Sequence, residues 1–571
     1  MNACHARSAF FAVLLAGSSL ASLAALAQPA ASDALISAVQ DGMAAQVDAL
    51  LAKHVDVNAT DGTGATALSW AVVRGTPELA ARLLKAGANP NLSDANGVSP
   101  LMLAIDNNLP DIVALLLANG ADPNLARPDG ETPLMHAVDS GSVPVVEALV
   151  ARKADVNAHE NRFAQTALMW AAGHPDITRI LLANGADIQA VTKSWETTTT
   201  NYSGSVSTLG VTGIPWNFDG EYTNKAGGLT ALHFAVQEGD SDSVKQLLQA
   251  GIEVDRPSAD GTTPLLTSLY NWRAARGEGP RRNASGGVRY SANFEMANLL
   301  LDAGAKPNVT DRAGYTPLHG AVLSLLMSGG ARGGGGGGGP FIGFNPTKRS
   351  APDAPPPTVP ANEDAVLVVV KRLLDLGANP NQPTENTTPG PLGAIKVNPA
   401  SPGSTPFHIA AAAHSAKLTD MMAAHGANPN QTRKDGHTPF TVAVMSNDLP
   451  VVQSLVNHGA DLQMIYNPAD KIADPVLSKA EARKNETILH MAAIAGANYV
   501  VELLAKKGAP VTVKNDHGET PLDLADAQEQ FRFAHDKEGA LGIGLSNVKK
   551  ETQTSDAIKR VLGIKAKVAS N

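Results

Sequence analysis

Apolar residues in this chain recur in short paired bursts. Between Asp129 and Asn157 it reads DGETPLMHAVDSGSVPVVEALVARKADVN. Leu134, Ala137 and Val138 fall at i, i+3, i+4, the spacing of one helix face. Thr132 is a suitable N-cap, and Pro133 is pre-set for the first helical position. Ser140-Gly141 ends that helix, Val143 to Val150 supplies a second, and Ala154-Asp155-Val156-Asn157 turns the chain away. Asp129-Gly130 marks the turn before the unit. Neither helix is long enough to persist alone, so the pattern predicts a unit that stacks on copies of itself.

Those copies are present. Thr132-Pro133-Leu134 recurs as Thr66-Ala67-Leu68, Ser99-Pro100-Leu101, Thr166-Ala167-Leu168, Thr230-Ala231-Leu232 and Thr263-Pro264-Leu265. It recurs again as Thr316-Pro317-Leu318, Thr405-Pro406-Phe407, Thr438-Pro439-Phe440, Thr487-Ile488-Leu489 and Thr520-Pro521-Leu522. Successive starts are 33, 33, 34, 64, 33, 53, 89, 33, 49 and 33 residues apart. With helix starts of this type at a period of 33, the chain resembles the ankyrin-repeat family. The resemblance covers nearly all of the chain outside the N-terminus and the insertions. It implies an all-α solenoid of about twelve helix-turn-helix repeats with β-hairpin-like fingers, whose first helices line a concave groove. It also implies protein recognition as the role. His233, His319, His408 and His490 occupy the slot after the T-x-L/F triplet, where the family places a histidine that bonds between neighbouring repeats.

The long spacings exceed 33 by 31, 20, 56 and 16 residues, which makes four insertions spread over five segments. Segments 191–228, 382–403 and 464–484 extend fingers, and the first, rich in Thr, Val and aromatics with Gly breaks, predicts a β-finger. Segments 271–292 and 327–364 instead interrupt the turn between the two helices of one repeat. The latter holds seven consecutive glycines, Gly333 to Gly339, and reads as a linker. A first repeat without the Thr-Pro start begins near Ser32, and capping helices are expected over about 521–562.

Residues 1–27 stand apart. Arg7 precedes an apolar Ala/Leu-rich stretch that ends in Ala25-Leu26-Ala27, the order of a secretory signal peptide. Cleavage there leaves 28–571 as the mature chain, located in the periplasm or secreted, with no later membrane span. The one cysteine, Cys4, lies inside this leader, so the mature chain carries no disulfide or cysteine metal site. A net charge of −9 without long basic runs gives no reason to expect a nucleic-acid partner. No phosphate loop, nucleophile elbow or metal-ligand spacing occurs, and no cofactor is expected.

Two departures from the repeat are candidate binding features. Trp70, Leu103, His136, Trp170 and Phe234 all lie four residues after their helix-starting Thr or Ser, about 200° from the buried Leu. They form either an aromatic ridge along the groove or padding between first helices. Trp195 and Trp216 lie in the 191–228 finger. The second feature is basic: Arg281 and Arg282, with Arg273, Arg276 and Arg289, make 271–292 a candidate site for an anionic partner, or else a solvated loop. The chain therefore reads as a non-enzymatic, monomeric scaffold for a protein partner. A secreted effector acting on a host or competitor target is the alternative. An enzyme with a site built by the insertions is a third reading, for which 191–228 offers only Glu196, Asp219 and Glu221.

Overall fold

A computed structural model describes residues 31–199, 222–270, 293–328, 362–385, 403–434, 436–466, 485–527 and 554–563. Within these the chain is all-α apart from two short hairpins, and it divides into two compact units, 1–128 and 129–571. The first unit holds three helix pairs: Ala31–Gln40 with Ala44–Leu51, Ala67–Val73 with Pro77–Lys85, and Pro100–Asp106 with Pro110–Ala118. The second holds nine, from Pro133–Asp139 with Val143–Ala151 to a last pair formed by 521–527 and Thr554–Val561. Among the described residues, no helix is long and apolar enough to cross a membrane.

From the second repeat on, each first helix starts where a hydroxyl can accept a free backbone N–H. Thr66 Oγ1 accepts from Ser69 N (3.1 Å), Ser99 Oγ from Met102 N (3.3 Å) and Thr132 Oγ1 from Met135 N (3.3 Å). Behind the cap, the apolar face is shut away: Leu134, Ala137 and Val138 are at most 1% exposed. Helix ends turn through left-handed residues, mostly glycine, but His54 (φ 55°) and Lys153 (φ 66°) take this conformation where the other repeats have Gly.

Two ladders join repeat to repeat. Buried histidines make the first. His319 Nδ1 accepts from Thr316 N (3.1 Å), and its Nε2 donates to Ser404 O of the next repeat (3.3 Å). His233, His408 and His490 repeat the arrangement, their Nε2 atoms reaching Thr262 O, His437 O and Glu519 O. Loop asparagines make the second ladder, which the sequence reading missed. Asn91 Nδ2 donates to Gly120 O (3.0 Å) while its Oδ1 accepts from Asp122 N (2.7 Å). Asn157, Asn308, Asn381 and Asn430 do the same in the second unit.

The insertions attach as follows. Trp195–Thr199 pairs antiparallel with Tyr222–Ala226, Trp195 opposite Ala226, at the root of the 191–228 finger. Ile465–Tyr466 pairs with Glu486–Thr487 at the root of the 464–484 segment. The edges expected for 327–364 need correction. Met327 and Ser328 belong to the helix Pro317–Ser328, while Glu363 and Asp364 open the next, Glu363–Asp375. Glu363 is tied there because its buried carboxylate accepts from Ser415 Oγ (2.5 Å) and Lys417 Nζ (3.3 Å).

Candidate functional site

The finger between Asn157 and Thr166 is one residue longer than its counterparts, which is why Thr132 and Thr166 are 34 apart. In the regular finger of the first unit, the Asp61 carboxylate spans the turn, accepting from Thr63 N (2.8 Å) and Ala65 N (3.1 Å). A longer turn needs a longer acid. Glu160 supplies it, its buried carboxylate accepting from Arg162 N (2.6 Å), Phe163 N (2.7 Å) and Gln165 N (2.9 Å). Ala164 absorbs the extra length in a left-handed conformation (φ 55°).

The lengthened turn carries Phe163 to the next finger. Lys193 N donates to Phe163 O (2.7 Å), placing the hairpin root beside it. The Phe163 ring then lies 5.2 Å from that of Trp195, tilted 46°, with the Arg162 guanidinium carbon 4.7 Å from the Phe163 centroid. At the inner end, Trp195 lies on Gly227 (φ 91°), where an added Cβ would come within 2.9 Å of the indole and 1.9 Å of Lys193 O. Arg162, Phe163, Trp195 and Gly227 thus make one layered stack. Phe163 and Trp195 are half-buried and Arg162 is exposed. Neither Arg162 nor Phe163 was singled out in the sequence. The signal was the single extra residue in an otherwise 33-residue spacing.

Each residue of the expected ridge has its own surroundings. In the first unit, Trp70 is half-buried rather than turned to solvent, because the finger folds over it and Asp61 Oδ2 accepts its indole N–H (2.8 Å). Trp170 in the second unit is held the same way, donating to Gln165 Oε1 (2.9 Å). His136 Nε2 lies 3.2 Å from Glu131 Oε2. Phe234 departs from the ridge altogether. It is 6% exposed, because the first helices on either side, Ala167–Trp170 and Pro264–Tyr270, pack against its own. At that position the padding alternative holds. Trp216, Arg281 and Arg282 lie outside the described residues.

A hydroxyl at the start of the first helix and a turned finger recur through the repeats, four of them add a bridging histidine, and sequence families carry that same unit. Ankyrin repeats (3 copies) match residues 35–127, 115–192 and 362–466. Ankyrin repeats (many copies) match 473–525, and the single ankyrin repeat matches 227–259. The chain belongs to the ankyrin-repeat family. Its repeats indicate a protein-protein interaction scaffold. Comparison with curated proteins returns no match. No group of three or more potential metal ligands occurs among the described residues.

Proposed function

We propose that this ankyrin-repeat chain is a non-enzymatic scaffold of the cell envelope or the extracellular space, binding a protein partner at the finger edge of its second unit. The Arg162–Phe163–Trp195 stack supports the location most directly. It exists because the sequence departs from the repeat twice at one place, with an extra residue in one finger and a β-hairpin in the next. Half-exposed aromatic rings held by backbone contacts lose little side-chain entropy on binding and make good anchors. Arg7 and the apolar stretch ending Ala25-Leu26-Ala27 support export.

A photo-crosslinking residue in place of Trp195 in the full chain tests the location. It should trap a defined partner in the envelope fraction, whereas the same residue at exposed Tyr499 should trap none. Equal labelling from both positions would remove the finger edge from consideration.

A further inference from the structure

The stack also carries information about what it meets. We infer that the finger edge takes an extended segment of a protein partner that presents an Asp or Glu next to an aromatic or long apolar side chain. This rests on the scaffold reading above and names its partner's chemistry. The stack is closed at its inner end by Gly227 and open at its outer end, where the exposed Arg162 guanidinium covers Phe163. Among the described residues, no carboxylate pairs with Arg162. The acids nearest in sequence are engaged: Glu160 with three backbone N–H groups and Glu196 with Lys225 (3.0 Å). Lys193, another local cation, is held by its ammonium on Asn161 O (2.8 Å).

That leaves a planar five-donor group, pre-oriented on a ring and without an anion among the described residues. A guanidinium so placed accepts a carboxylate through two parallel hydrogen bonds, and stacking leaves its N–H edge available. The half-buried flanks of Phe163 and Trp195 beside it offer apolar surface to the neighbouring residue. One guanidinium without a carboxylate among the described residues, on a chain of net charge −9, suits one carboxylate rather than a polyanion such as nucleic acid.

The test uses the full chain and three labelled eight-residue peptides in fluorescence anisotropy. One carries Phe flanked by two Glu in a Gly/Ser background, the second replaces both Glu with Gln, and the third replaces them with Lys. The acidic peptide should bind most tightly and the Lys peptide least. Arg162→Gln should weaken the acidic peptide about tenfold or more, leave the Gln peptide unchanged, and thereby erase the preference. Arg162→Lys, which keeps the charge and loses the planar fork, should fall between. An unchanged thermal transition in Arg162→Gln shows that the finger is intact, and Phe163→Leu should weaken both the acidic and the Gln peptide. Equal binding of acidic and Gln peptides, an Arg162→Gln variant that keeps the preference, or no binding of any peptide would each overturn the inference. If Trp195 crosslinking still traps a partner in that case, the scaffold reading stands without it. If crosslinking fails as well, both fall.

Discussion

At the scale of single residues, the bridging histidines show how hydrogen-bond direction selects a charge state. In His319, Nδ1 faces the Thr316 N–H donor while Nε2 faces the Ser404 carbonyl, so only the neutral ring protonated at Nε2 satisfies both. Burial accordingly pushes His319 down to about 3, against a smaller upward pull from the Ser404 carbonyl, and pushes His233 down to about 4. His490 is lowered in the same direction, again chiefly by burial. Because these folded values lie below the ordinary histidine value of 6.5, the unfolded chain takes up protons first as the pH falls. The contribution is complete above about pH 6.5 and is lost as the pH drops toward 3–4. Urea midpoints of the full chain should therefore decline over that window. In His319→Ala the decline should be shallower. The same variant at pH 7.5 should be less stable by about 2 kcal/mol, since it leaves the buried Thr316 N–H unpaired and removes one of the two hydrogen bonds to Ser404 O.

Carboxylates obey the same physics with the opposite outcome by site. Asp61 and Asp311 both accept two backbone N–H groups across a finger turn. For Asp61, in the partly open finger, slight burial pulls upward but is outweighed by hydrogen bonds from Thr63, Trp70 and Ala65, and the net shift is downward. Asp311 is 7% exposed, and burial outweighs its hydrogen bonds, pushing it up to about 7. Turn chemistry was legible in each Asp-x-x-Gly, but the charge state was not, because burial depends on the neighbouring finger.

At the scale of elements, most of the helices were readable and the contacts between fingers were not. Thr, Ser and Pro at the helix starts, together with the i, i+3, i+4 spacing, determine where each first helix begins and which face it buries. The 191–228 hairpin was expected from its Thr-rich, Gly-broken composition, and its root is an antiparallel pair. Its dependence on Gly227 follows only from the close approach of Lys193 O and Trp195. An isolated two-stranded hairpin is marginal in water, so this packing is what holds its root. Gly227→Ala should therefore displace Trp195 and expose Phe163 while leaving the rest of the helical array folded. Hydrogen exchange should show faster exchange over 193–199 and 222–228 with little change over 133–151. Unchanged protection at the hairpin root would show that the glycine is dispensable.

At the scale of the whole molecule, a repeat array is stabilised by units and by nearest-neighbour contacts, so insertions are tolerated where they leave those contacts alone. Five segments of extra chain enter at finger tips or between the two helices of a repeat, and the histidine ladder passes across two of them: His319 reaches Ser404 over 85 residues, past both 327–364 and 382–403, and His233 and His490 keep their 29-residue reach on either side. One prediction belongs to the N-terminus. If residues 1–27 are a leader as proposed, the full chain expressed in a bacterial host should yield a product with the mass of 28–571 outside the cytoplasm. A mass beginning at Met1 would end the proposal of export.

While the resemblance to ankyrin repeats supplied the bridging role of the histidine slot, the sequence by itself determined the period, the helix starts and the positions at which extra chain could enter. These are local matters: caps, proline and the apolar face act within a few residues of where they stand. Only the tertiary structure decided that Phe234 is covered while Phe163, Arg162 and Trp195 meet in a stack. Helical periodicity tells which way a side chain points from its own axis. Whether a ring is buried or presented depends on what the adjacent repeat brings alongside, here one added residue in a finger together with a hairpin in the next.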